Sequence, residues 1–249
     1  MRPPPVLPGI LALLLAGCTA GTIDGYHPGG GDGDGDGDGD GDGDVGGPDA
    51  GGAAADYVVT TDPASLSLSL GTSADVTVQI SADGFSGPVT LTAAGMPASW
   101  QASFLPSTTM VVGTDGTGQA TLHVVIPSDA DATSAPITVQ ASAAPGSRTA
   151  STSVTVANEL VIPIPGGTAA GAHPFGPVTV KLGATVTFRN DDSTGHRIHS
   201  DDASGSFPHE DDTMGIGQSY SVTPTGTGDF RFYCHEHGEG TGAGTLTVR

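Results

Sequence analysis

Short runs in which apolar and polar residues alternate fill the chain from Tyr57 to Val156. Gly, Pro, Ser and Asp residues separate these runs. The runs are SLSLSL from Ser65, ADVTVQI from Ala74, PVTLTA from Pro88, QATLHVVI from Gln119, PITVQASA from Pro136 and STSVTVA from Ser151. A period of two predicts strands, because successive side chains of a strand point to opposite faces. Several short strands separated by turn residues predict a β-sandwich.

The same alternation returns in the last third of the chain. The runs there are PVTVKLG from Pro177, ATVTFRN from Ala184, SYSV from Ser219, DFRFYC from Asp229 and TLTV from Thr245. In the run FRFYC, period two places Phe230, Phe232 and Cys234 on one face, with Arg231 and Tyr233 on the other. We therefore expect an all-β protein in which the thiol of Cys234 points into an apolar interior.

The N-terminal segment has the features of an export signal. The sequence MRPPPVLPGILALLLAGC combines one positive charge with an apolar run that ends at Leu15. That run is too short to remain as a membrane span, which needs ~20 apolar residues. The last four residues, LAGC, resemble the lipobox of bacterial lipoproteins, and this resemblance implies that residues 1–17 are removed and that Cys18 is acylated. The alternative is an ordinary signal peptide with a chance cysteine. Because Thr19 and not aspartate follows the cysteine, we expect an outer membrane lipoprotein that faces the periplasm or the cell surface.

Residues 18–56 predict a disordered tether. This segment includes GDGDGDGDGDGDGD at residues 31–44 and has almost no large apolar side chains, so it cannot bury enough surface to become ordered. Calcium-binding repeats are the alternative, but their apolar residue is missing here and the period is two. The net charge of the chain is −20, and residues 57–157 and 158–249 are both mildly acidic. This charge disfavours nucleic acid as a partner.

Residues 57–157 resemble the immunoglobulin-like domains of bacterial surface proteins. The matching pieces are DYVVTTDPASLSLSLG, GFSGPVTLTAAGMPA, ASFLPST and a closing strand at Ser153 to Val156. The resemblance implies an immunoglobulin-like β-sandwich that acts as a spacer or adhesion module. We expect Trp100 and His123 to be core or surface residues and not site residues.

Residues with metal-binding chemistry concentrate at the C-terminal end of the chain. His237 follows Cys234 by three residues, so that a turn after the strand would bring its imidazole back beside the sulfur. The segment FRNDDSTGH ends a second strand with a polar loop and His196. One thiolate and two imidazoles in a trigonal arrangement describe a blue-copper site. The alternative is that Cys234 is a small buried hydrophobic residue.

The last part of the chain, from about Val161 to Arg249, is similar to cupredoxins of the plastocyanin and amicyanin type. The pieces FGPVTVKLGATVTFRNDD, GHRIH and FYCHEHGEGTGAGTLTV occur in the order of that family. The resemblance implies that residues 158–249 form a Greek-key β-sandwich. It also implies that one copper ion is bound by His196, Cys234 and His237.

One family feature is missing from this sequence. Gly242 stands where plastocyanin-like loops place the axial methionine, so that a backbone carbonyl, a water, Glu239 or Met214 is left to fill that position. The remaining histidines are expected to be solvated, or to contact the ligands without binding the metal themselves. Of these, His199 and His235 are stronger candidates for joining the site than His173 and His209 are.

The sequence favours a membrane-anchored, mononuclear copper protein that carries one electron and is not an enzyme. Copper sequestration or delivery without redox turnover is the alternative. The motif CHEH is similar to the cysteine-flanking histidines of multicopper oxidases, but those enzymes need a histidine where Tyr233 stands. Zinc also accepts thiolate and imidazole ligands. We expect a monomer whose redox partner the sequence does not name.

Overall fold

A computed structural model describes residues 55–167, 175–238 and 243–249 of the chain. The predicted signal peptide, Cys18 and most of the predicted tether lie outside these residues, as do His173, Glu239 and Gly242. All of these described residues belong to one compact unit, Ala50–Arg249. Its described residues form strands and one 3-10 turn, which confirms the all-β prediction. Within these residues, no helix has the length and apolar character needed to cross a membrane.

The strands form three sheets. In chain order they are β1 Asp56–Asp62, β2 Ser65–Leu70, β3 Ser73–Asp83, β4 Gly87–Ala94, β5 Gln101–Leu105, β6 Thr109–Val112, β7 Thr117–Val125, β8 Ser134–Ala143, β9 Gly146–Ile164, β10 Val178–Val180, β11 Thr185–Asn190, β12 Ile198–Ser200, β13 Ser219–Val222, β14 Gly228–Cys234 and β15 Gly244–Val248. The first sheet has the order β1-β3-β7-β5, and the second has the order β13-β11-β9-β8-β4-β6 with β2 beside β9. The third sheet has the order β10-β15-β14-β12, so that β14, which carries Cys234, lies beside the edge strand β12.

Every run that the alternation predicts as a strand contains a strand in the structure, although PVTVKLG does so only at Val178–Val180. Strands β1, β5, β6 and β12 were not predicted from alternation. The last two are four and three residues long, too short for a period of two to be recognised. The immunoglobulin-like identity of the N-terminal part stays a prediction. Its two sheets share one buried apolar core that includes Val78, Leu122 and Ile137.

The longest strand, β9, connects the two halves of the compact unit. The predicted domain boundary between residues 157 and 158 falls inside it. The first part of β9 pairs with β8 and β2, and its last part, residues 159–164, pairs in parallel with β11. Two side chains also bond across the halves: the Ser128 hydroxyl donates to the Thr179 carbonyl over 2.6 Å, and the Asn158 amide donates to the Gly183 carbonyl over 2.9 Å. The second sheet is therefore continuous across the predicted boundary.

Packed phenylalanine rings fill the core of the C-terminal half. Phe188 is fully buried, and its ring centroid lies 5.1 Å from that of Phe232 and 6.2 Å from that of Phe175. Gly244 lies against the same rings, since a Cβ atom there would come within 2.6 Å of Phe232 and 2.7 Å of Phe175. This core supports β14 directly below its last residue, Cys234.

Candidate metal centre

Cys234 ends β14 with its side chain in the protein interior. Phe230, Phe232 and Cys234 are all buried, and Cys234 is 0% exposed, which confirms the predicted inward orientation of the thiol. Tyr233, on the opposite face, is buried as well, because the His199 ring lies 4.8 Å from its ring and the Arg231 guanidinium lies 5.4 Å from its centroid. The alternation predicts which face each residue occupies but not that side chains cover both faces.

The turn expected after β14 is present. Residues His235–His237 form a 3-10 turn in which the Gly238 N–H donates to the Cys234 carbonyl over 3.0 Å. The His235 N–H donates to the Arg197 carbonyl over 2.8 Å, which ties the turn to the segment after His196. The side chain of His237 lies outside the described part of the chain. Its role as a ligand therefore stays a prediction.

His196 meets Cys234 in the interior, although 38 positions separate the two residues in the sequence. Both side chains are 0% exposed, and Nδ1 of His196 lies 3.4 Å from Sγ of Cys234. A thiolate and an imidazole that bind one metal ion at ~2.3 Å and ~2.0 Å lie ~3.5 Å apart at a tetrahedral angle. Without a metal, the same separation suits a hydrogen bond between thiol and imidazole. The pair therefore has both the chemistry and the spacing of two ligands of a thiolate and imidazole metal site.

The other nitrogen of His196 faces a carboxylate. Nε2 lies 3.1 Å from Oδ2 of Asp192, which is 2% exposed, and 3.4 Å from Oγ1 of Thr194. The backbone N–H groups of Ser193 and Gly167 donate to Oδ1 of Asp192 and hold the pKa of this carboxyl group well below its usual value. Asp192 is therefore an ionised acceptor that faces the candidate ligand His196. Sequence reasoning missed it, although a carboxylate four residues before a candidate ligand was a signal that could have found it.

Asn190 stabilises the loop that carries His196 through side-chain hydrogen bonds. Its amide nitrogen donates to the carbonyls of Thr194, Met214 and Gly215, and its oxygen accepts the N–H of Asp192 over 2.9 Å. His196 and Met214 also form an isolated antiparallel bridge with two backbone hydrogen bonds, of 3.1 and 2.7 Å. Met214 is 2% exposed, so a buried thioether side chain lies on the segment opposite His196. Its recruitment as an axial ligand stays open.

The additional histidines cluster on the Tyr233 face of the third sheet. Ile198 stands opposite Cys234 in the register of β12 and β14, and His199 stands opposite Tyr233. The ring of His199 lies 5.1 Å from that of His209 and 5.2 Å from that of His235. Burial, together with the neighbouring imidazoles, holds the pKa of His199 below its usual value. Among the described residues, no three His, Cys, Asp or Glu side chains form a group that could hold a metal ion.

The last part of the chain matches a known protein family. Residues 174–249 match the family of copper binding proteins described as the plastocyanin/azurin family. The chain is similar to a novel purple cupredoxin from Nitrosopumilus maritimus, with 25% identity and a TM-score of 0.29 over 36% of this chain and 98% of that one. It is also similar to amicyanin from Paracoccus versutus, with 21% identity and a TM-score of 0.31 over 37% of this chain and 83% of that one.

Both TM-scores are below 0.5, so the assignment rests on the family match and on the residues themselves. A search of curated proteins finds no match. The predicted cupredoxin resemblance of the C-terminal part is confirmed by the family match. The C-terminal part of the chain therefore contains a cupredoxin domain, and its residues 174–249 match the plastocyanin/azurin family of copper-binding proteins, whose cofactor is a single copper ion of the type 1, blue kind.

Proposed function

We propose that this protein is a one-electron carrier whose copper ion is held by Cys234, His196 and His237. The observation that carries the proposal is the buried pair of Cys234 and His196, with 3.4 Å between the sulfur and Nδ1. A bound copper ion would supply the redox chemistry, since it can exist as Cu(I) and as Cu(II). His237 lies in the turn next to Cys234, where a third ligand would complete a trigonal set.

The surroundings of the ligand pair suit electron transfer. Both side chains are fully buried, and Asn190 bonds to Thr194 and Asp192 of the His196 loop and to the facing segment at Met214 and Gly215. A site whose ligands are held in place changes little when the metal gains or loses an electron. Gly242 stands where related loops carry a methionine, and an oxygen donor in place of a thioether would favour Cu(II) and lower the reduction potential.

Loading the protein with Cu(II) tests this function. We expect an intense visible thiolate-to-copper band, narrow hyperfine splitting in the electron paramagnetic resonance spectrum, and reversible bleaching by a mild reductant. A bound copper ion that gives a weak band and does not cycle would favour the alternative, which is copper sequestration or delivery without redox turnover. Rapid oxygen consumption with phenolic substrates would contradict the non-enzymatic assignment.

We also propose that Cys18 anchors the protein to the outer membrane through acyl chains. Each buried methylene of such a chain contributes ~0.8 kcal/mol, so that several chains on one residue give stable attachment. Replacing Cys18 by serine should move the protein from the membrane fraction to the soluble fraction. Metabolic labelling with a radioactive fatty acid should label the protein that carries Cys18 and should not label the serine variant. Equal membrane attachment of both proteins would contradict the anchor.

A further inference from the structure

Asp192 is a buried carboxylate that is not one of the proposed copper ligands, so its burial needs another explanation. It is 2% exposed, and burial of an ionised carboxylate is costly unless the group has partners. Its two oxygens have different neighbours. Oδ1 accepts the N–H groups of Ser193 and Gly167 over 2.7 and 3.1 Å, while Oδ2 faces Nε2 of His196 over 3.1 Å.

We propose that Asp192 is a positioning residue of the metal centre, which holds the proton of His196 on Nε2 and favours Cu(II) over Cu(I). The proposal rests on the copper site proposed above. It adds that the carboxylate of Asp192 contacts the ligand His196, fixes the tautomer of its imidazole and lowers the reduction potential of the copper ion.

The tautomer follows from the donors and acceptors around the imidazole of His196. A neutral imidazole carries one N–H, and an ionised carboxylate only accepts hydrogen bonds. With Oδ2 of Asp192 at hydrogen-bond distance, the proton belongs on Nε2, so Nδ1 presents its lone pair toward Sγ of Cys234. A second hydrogen bond of this kind orients a metal-binding histidine and raises its basicity.

The orientation of the carboxylate is fixed before any metal binds. Two backbone N–H groups hold Oδ1, and the N–H of Asp192 itself donates to Asn190 over 2.9 Å. Gly167 follows the end of β9, so the contact also connects the His196 loop to the long central strand. A fixed negative charge in a buried site stabilises the more positive oxidation state of a nearby ion more than the less positive one.

An Asp192→Asn variant reverses the hydrogen-bond pattern with little change in shape. The amide oxygen should take the place of Oδ1, where two N–H groups point, so the amide NH₂ then faces Nε2 of His196. Because a donor would meet a donor, the variant should move the imidazole proton to Nδ1. That nitrogen would then be unable to bind copper without first losing the proton.

Nitrogen NMR on the full apo-protein and redox titration of the copper-loaded protein test the proposal. In the unmodified apo-protein we expect the proton of His196 on Nε2, and in Asp192→Asn we expect Nε2 to lose it. The affinity for Cu(II) relative to Cu(I) should fall about tenfold in the variant, which raises the potential by about 59 mV for one electron. The matched control is Asp191→Asn, because Asp191 is 39% exposed and bonds to Arg189, and it should change neither quantity.

An unprotonated Nε2 in the unmodified apo-protein would overturn the proposal, and this result does not depend on whether any variant folds. A potential in Asp192→Asn no different from that of Asp191→Asn would also overturn it. Failure of the unmodified protein to bind copper would instead contradict the proposed function, and the tautomer measurement would still decide the role of Asp192 toward His196.

Discussion

Replacing Cys234 by serine should abolish the intense visible absorption of the copper-loaded protein. The band arises from electron transfer from a thiolate to copper, and a serine hydroxyl is neither ionised at neutral pH nor a soft ligand. Affinity for Cu(I) should fall by at least a hundredfold, because the soft thiolate is the ligand that this ion prefers. The fold should survive, since the buried serine hydroxyl still has Nδ1 of His196 nearby as an acceptor.

The control for this experiment is His235→Ala. His235 is exposed, follows Cys234 directly and contacts His199 on the opposite face of the sheet, so its removal should leave the visible band in place. Absorption and electron paramagnetic resonance spectra of both variants give the readout, and circular dichroism shows whether each variant is folded. An intense band that persists in Cys234→Ser would exclude the assigned thiolate ligand.

The sequence predicts the parts of the site that depend on strand periodicity. Alternation in FRFYC places Cys234 on the same buried face as Phe230 and Phe232, as the structure confirms. The pairing of Cys234 with His196 follows from the resemblance to cupredoxins, because no local pattern relates two residues that lie 38 positions apart. In the structure, β12 pairs with β14 and brings the segment after His196 beside the cysteine.

The contacts around the ligands have no comparable sequence signal. Asn190 bonds to three backbone carbonyls. Because a backbone carbonyl is the same in every residue type, the sequence does not show which carbonyls Asn190 contacts. Asp192 stands four residues before His196, a spacing that makes it a candidate partner, but only the loop conformation brings its Oδ2 within 3.1 Å of Nε2. The full extent of β9 was also missed. Its last part, residues 159–164, depends on parallel pairing with β11, a contact made between distant parts of the sequence.

Replacing Phe188 by alanine should destabilise the whole compact unit and not only the C-terminal half. Phe188 is fully buried among aromatic rings, and removing such a side chain costs about 3–5 kcal/mol. That is a large fraction of a typical unfolding free energy of about 5–15 kcal/mol. Phe188 also stands opposite Ile162 of β9, a strand that continues into the N-terminal half. Because one sheet runs through both halves, we expect them to unfold together.

Trp100 gives a probe for that coupling, since it is the single tryptophan of the chain and lies in the N-terminal half. It is 4% exposed, and its Nε1 donates to the Asp131 carbonyl over 3.3 Å, so its fluorescence should report unfolding there. In urea, Phe188→Ala should lower the unfolding midpoint that is measured by Trp100 fluorescence as much as the unfolding midpoint that is measured by circular dichroism. The control Leu182→Ala removes a side chain that is 50% exposed and should change the free energy of unfolding by less than about 0.5 kcal/mol. A fluorescence midpoint that does not move while the circular dichroism midpoint falls would mean that the two halves unfold independently, in spite of their shared strand.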